Sequence, residues 1–107
     1  MPTLRGTAVR WVEDDCTAGG VIEVQFADAD GVVHSVIDKL PIFFTSRDDE
    51  PTPSSPYPIP CPLEIAIVEH LDDGRTTVVL RGSVSTSDQV RFIVRTATIA
   101  EASTSAG

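Results

Sequence analysis

Val21-Ile22-Glu23-Val24-Gln25-Phe26, followed by Asp28-Ala29-Asp30-Gly31 and then by residues 32–38, decides the fold class. The first run alternates, placing Ile22, Val24 and Phe26 on one face, the period-2 pattern of a half-buried strand. An Asp-Gly pair between two such runs is a strong hairpin signal. Charge argues the register. A two-residue turn at Asp30-Gly31 would set Glu23 against Asp38, and facing like charges destabilise a strand pair. A four-residue turn across residues 28–31 is therefore expected, with Phe26 opposite Val33, Val24 opposite Ser35, Ile22 opposite Ile37 and Glu23 opposite Val36.

The same signals recur along the chain. Residues 3–12 read as a first strand, broken by the acids Glu13, Asp14 and Asp15 and by Gly19-Gly20. Residues 63–71 form a long strand with Leu63, Ile65 and Ile67 on one face. Asp72-Asp73-Gly74-Arg75 is a second turn, and a two-residue reversal there pairs Ile67 with Leu80 and Val68 with Val79. Residues 89–95 close the set, with Val90, Phe92 and Val94 inward. Residues 39–44 contain Pro41, which cannot donate to a ladder, so an edge strand or extended crossing is expected. One of Phe43 and Phe44 should plug the core. Two hairpins, about six strands and no helical periodicity predict an all-β domain, a small antiparallel barrel or a compact sandwich.

One domain fits 107 residues. It is expected to span residues 1–95, interrupted by a loop over residues 45–62, and to end in a flexible tail over residues 96–107. Six of the eight prolines lie in that loop, which should be extended and polyproline-like. No apolar run near the N-terminus resembles a signal peptide, and none approaches a membrane span, so a cytoplasmic location is expected. Cys16 and Cys61 are too few for a disulfide framework and lack metal-ligand spacing. Cys61 should be buried as a small apolar group, and Trp11 should belong to the core.

The run from Val21 to Ser35, followed by Val36-Ile37-Asp38-Lys39-Leu40-Pro41-Ile42-Phe43-Phe44 and later by Tyr57-Pro58-Ile59-Pro60, resembles a group of small uncharacterised bacterial β-proteins. These share a "VEV-F-DADG" hairpin, a "DK-P-F" segment and a "YP-P" stretch. The resemblance is good over residues 10–44 and loose elsewhere. It implies a compact bacterial β-domain and transfers no site residue.

Sixteen acidic against eight basic residues give a net charge of −8. Such a surface repels phosphates, which excludes nucleic acid and anionic membrane as expected partners. Asp28, Asp30 and Gly31 match part of a calcium loop, but Phe26 stands where a ligand is needed and no glutamate follows at the right spacing. A plain turn is the better reading, and no cofactor is expected. His34, Val36 and Asp38 share a strand face, with His34 and Asp38 about 13 Å apart along it. That is too far for direct pairing, and no nucleophile motif accompanies them. Arg75, Arg81, Arg91 and Arg95 are the basic concentration; they are expected to balance acids across strands, with a local anion site as the alternative.

The leading functional expectation is a non-catalytic acidic interaction module of the immunity, inhibitor or accessory-subunit type. Its contacts with a basic-surfaced protein would be Asp48, Asp49, Glu50 and Tyr57, with Tyr57 as amphipathic anchor. The rival is a small-ligand-binding or enzymatic barrel using His34 and Asp38 with an arginine at its mouth. A homo-oligomer joined through unpaired strand edges is a third arrangement. A mobility-shift assay in low salt is expected to detect no complex with DNA or RNA near neutral pH. Salt-sensitive micromolar binding there would refute the charge argument.

Overall fold

The chain changes sheets at Gly6. A computed structural model describes residues 2–17, 19–44, 48, 50–82 and 85–101. β1 (Pro2–Leu4) lies in one antiparallel sheet, and β2 (Thr7–Asp15) begins the other. What reads in sequence as one strand is thus two, joined by a corner. A Cβ at Gly6 would stand 2.6 Å from the Cys61 carbonyl oxygen, and the Cys61 N–H donates to the Gly6 carbonyl at 2.9 Å. Only a residue without a side chain lets the two backbones approach this closely.

β3 (Gly19–Ala27) and β4 (Val33–Lys39) follow, then a helical turn, α1 (Leu40–Phe43). β5 (Ile59–Pro60), β6 (Leu63–His70), β7 (Arg75–Leu80), β8 (Arg91–Arg95) and β9 (Ile99–Glu101) complete the described elements. One sheet has the order β8-β7-β6-β1-β9 and the other β4-β3-β2-β5. The sheets do not close on themselves, so the architecture is a sandwich and not a barrel. Leu4, Leu63, Ile65, Val78, Phe92 and Val94 from the first sheet meet Ala8, Ile22, Val24, Phe26 and Val36 from the second, all of them buried. The alternation read in sequence produces these two inner faces.

Both hairpin registers differ from expectation. In the first, Val24 faces Val36, Phe26 faces His34 and Glu23 faces Ile37, one residue away from the four-residue turn. The loop is longer because the Asp28 carboxylate organises it, accepting the backbone N–H groups of Asp30 (2.9 Å) and Val32 (3.0 Å). Glu23 escapes charge repulsion in another way: its ladder partner on β2 is Arg10, whose Nε donates to it at 2.6 Å. In the second hairpin Ile67 pairs with Val78 and Ile65 with Leu80. A bulge at Val68 and a reversal over residues 71–75 absorb the shift.

Other expectations are corrected locally. The acids of residues 13–15 extend β2 instead of breaking it, because they face Val21, Gly20 and Gly19, which carry no opposing charge. Residues 40–43 are not extended but form α1, with Pro41 in its first turn, where its missing N–H costs nothing. Leu40 is the residue that plugs the core, with Phe43 and Phe44 packed half-buried against it. Val90 is exposed and lies just outside β8. Past Arg95 the chain is not a free tail as far as Glu101. Residues 96–98 make a 3-10 turn and β9 pairs with β1, setting Ile99 opposite Leu4. Residues 102–107 lie outside the described residues.

Cys61 is fully buried, Cys16 is exposed, and neither is bonded. Trp11 lies half-buried against Gly20, where an added Cβ would sit 2.1 Å from the indole ring. Gly6→Ala and Gly20→Ala are both expected to lower stability, by about 1–3 kcal/mol each, as overpacking does. The two should differ in character. The Trp11 ring can swing away from a new methyl, shifting its fluorescence, whereas the Cys61 backbone cannot. Equal melting temperatures for Gly6→Ala and wild type would refute the corner.

Candidate functional site

The loop proposed for partner contact is a folded strap. Asp48 is exposed, Glu50 half-buried and Pro51 buried, while Asp49 lies outside the described residues. Residues 52–55 turn back on themselves: the Ser55 N–H donates to the Thr52 carbonyl at 3.1 Å and the Thr52 N–H to Ser55 Oγ at 2.8 Å. The Tyr57 hydroxyl donates to the Thr52 carbonyl at 2.8 Å, and its ring packs against the core. Desolvation raises the Tyr57 pKa above its ordinary value. β5 then pairs with β2, Ala8 facing Ile59 and Thr7 facing Pro60, so the end of the loop is edge strand and not polyproline helix. Proline is tolerated on such an edge. Tyr57 therefore holds the strap together through its polar end.

The strap brings Glu50 close to the acidic run of β2. A side chain at Gly19 would meet Leu40 at 3.6 Å and the Glu50 carboxylate at 4.0 Å. Gly19 is the ladder partner of Asp15, and Glu13 and Asp14 stand exposed beside it on β2. Lys39 lies 3.7 Å from Asp15 and offsets part of that charge. The convergence was not legible in sequence, since 35 positions separate Asp15 and Glu50 and no local pattern ties them.

His34 and Asp38 have separate hydrogen-bond partners. The Asp38 carboxylate accepts the Lys39 backbone N–H at 2.8 Å, four residues along β4 from the imidazole. His34 instead meets Asp28 across the hairpin loop, with Nε2 2.8 Å from Oδ2. The ring sits beside Phe26 and Phe92, at centroid distances of 5.5 and 4.7 Å. The hydrogen bond to His34 is the largest influence holding the Asp28 carboxyl below its ordinary value of 3.8, joined by the Val32 and Asp30 amides and opposed by desolvation. An ionised Asp28 accepts only, so Nε2 is the donor in this hydrogen bond. The sequence signal was an aspartate opening a hairpin loop and a histidine just beyond it, residues that a reversal brings together.

Beside the dyad lies an open cleft of about 440 Å³, lined by Asp28, Asp30, Thr77, Gln89, Arg91 and Ile93 among others. The hairpin tip is tied to its far wall by the Ala29 N–H, which donates to the Ile93 carbonyl at 2.9 Å. Both oxygens of Asp28 are engaged, one by the loop amides and the other by His34. No group of three or more His, Cys, Asp or Glu placed to hold a metal ion occurs among the described residues. Cys61 carries no thiolate chemistry at neutral pH, because burial pushes its pKa up to about 12.

On the outer sheet faces the charges separate. Glu23 is held below its ordinary carboxyl pKa chiefly by the Ser35 hydroxyl at 2.8 Å, with Arg10 and Gln25 adding to it. Arg75 lies 3.9 Å from Asp73, whereas Arg91 and Arg95 form no ion pair among the described residues. Arg75 faces Arg95 directly in the β7–β8 ladder, and Arg91 lies further along the same face. Comparison with family models, curated proteins and solved structures finds no match for this chain.

Because the folded-state pKa of Asp28 is depressed, its contribution to stability is present above pH about 4 and lost as pH falls through the folded value. Asp28→Asn should therefore be less stable than wild type near neutrality, with the gap narrowing toward pH about 2 as the wild-type carboxyl is protonated. Urea unfolding at several pH values checks this. A gap that stays constant with pH would show that the carboxylate charge does not matter.

Proposed function

We propose that this chain is a non-catalytic protein-interaction module, of the immunity, inhibitor or accessory-subunit type, that meets a partner with a basic surface. The observation that carries the reading is the approach of the strap residue Glu50 to the hairpin end that bears Glu13, Asp14 and Asp15. A filled apolar interior supports it too, since the two sheets pack their side chains directly against each other. Rigid acidic surface of this kind accelerates encounter with a cationic partner more than it raises final affinity. Tyr57 contributes by holding the strap in shape and by presenting the exposed flank of its ring; Asp49 adds charge to the same run.

One observation favours a second reading, a small-ligand or catalytic site: the Asp28–His34 hydrogen bond beside the open cleft. Asp28, and not Asp38, is then the carboxylate bonded to the imidazole. Under this reading a ligand screen followed by NMR would shift resonances of residues 28–34 and 89–93 together.

After a partner is captured by cross-linking in cells, Glu13→Gln, Asp14→Asn, Asp48→Asn and Glu50→Gln combined should slow association by roughly tenfold and flatten its salt dependence. Dissociation should change little. Tyr57→Phe should lower stability through loss of its hydroxyl bond while association stays intact. Wild-type association kinetics in the fourfold variant would overturn the assignment.

A further inference from the structure

The β7–β8 ribbon runs against the character of the rest of the molecule. In a chain of net charge −8, three of the eight basic residues, Arg75, Arg91 and Arg95, stand exposed on one outer face of two adjacent strands. Arg75 and Arg95 are directly opposed in the ladder, an arrangement that destabilises the pair. Neither Arg91 nor Arg95 forms an ion pair among the described residues, and Arg75 has only Asp73 at 3.9 Å. Glu69 lies on the same face, opposite Thr77, without reaching any of them. Between Arg91 and Arg95 the side chain of Ile93 is 42% exposed. Folding alone does not explain a ribbon that opposes two of these cations and leaves an isoleucine bare between one of them and the third.

We propose that this face docks an acidic, extended segment of a protein partner, separate from the acidic surface described above. Arg91 and Arg95 are four residues apart on one strand, a span of about 13 Å, which equals the span of carboxylates at i and i+4 of an extended peptide. Guanidinium groups suit such carboxylates because they pair with them bidentately. Ile93 between them takes an aliphatic contact, which favours peptide over nucleic acid. The surrounding negative charge also repels a long polyanion, while a short acidic segment need touch only the arginines. The segment lies across the face and does not extend the sheet, because the edge of β8 is already engaged at its centre by the Ala29 N–H on the Ile93 carbonyl.

The test is fluorescence anisotropy in about 20 mM salt, where screening is weak. The probe is a labelled Glu-Ile-Glu-Thr-Glu peptide, with Lys-Ile-Lys-Thr-Lys under the same label and oligothymidylate as comparisons. The acidic peptide should bind, and its complex should weaken as salt rises. Arg91→Glu with Arg95→Glu should weaken it by roughly tenfold or more. Arg5→Glu with Lys39→Glu, which changes net charge equally elsewhere, should have a much smaller effect. Arg95→Glu alone should melt at or above the wild-type temperature, since it turns an opposed like pair into an opposite pair. The proposal fails if the acidic peptide binds no better than the lysine peptide, or if both double variants lose binding equally. It also fails if oligothymidylate binds as well, or if the arginines prove to hold a second copy of the chain in low-salt sedimentation.

Discussion

The Asp28 carboxylate sets the register on which the interior depends. One of its oxygens takes two loop amides and the other takes His34, so that the β3–β4 reversal has one length only. At that length Val36 stands opposite Val24, and both are sealed from solvent. A slip of one residue would turn the inward side chains of β4 outward and present Val33, Ser35 and Ile37 to the core. It would also withdraw the imidazole from its place between Phe26 and Phe92. The same loop carries Ala29 to the edge of the opposite sheet, where it engages Ile93. A short side chain thus couples one hairpin's geometry to the joining of the two sheets.

At the other junction the joining is steric. Gly6 brings β1 and β2 into different sheets under the Cys61 carbonyl, and β9 returns to pair with β1. Between these two junctions the apolar faces meet without a covering helix, and the polar character of the molecule moves to its outer faces and loops. There the signs segregate. Acids line the β2–β3 hairpin end, which Glu50 approaches, whereas arginines gather on the β7–β8 ribbon.

Strand existence was legible where alternation is strict, as in β3, β6 and β8, and both Asp-Gly turns fell where expected. Registers were not, because they depend on where the Asp28 carboxylate bonds and on a bulge at Val68, neither of which leaves a periodic trace. β5 and β9 are two and three residues long, too short for a pattern, and exist through pairing with β2 and β1. The helical turn after Lys39 carried its own signal in Pro41, a residue equally at home at a helix start and on an edge strand. Among the contact residues, composition alone correctly marked Asp48 as surface. It did not reveal that the Tyr57 hydroxyl is taken up by the Thr52 carbonyl, since that hydrogen bond depends on a turn that sequence read as extended. The partner of His34 left no strand-period signal, because Asp28 reaches it across the loop.

Amide hydrogen exchange in wild type and Asp28→Ala, followed residue by residue by NMR, tests the governing role of that carboxylate most directly. The substitution should release Asp30 and Val32 first. Protection of the Ala29 amide should fall with them, because its bond to Ile93 depends on the shape of the loop. Protection across β6 and β1 should persist at the level set by global stability. Unchanged exchange at Ala29, Asp30 and Val32 in the variant would contradict the account, since the loop would then hold its length without the carboxylate.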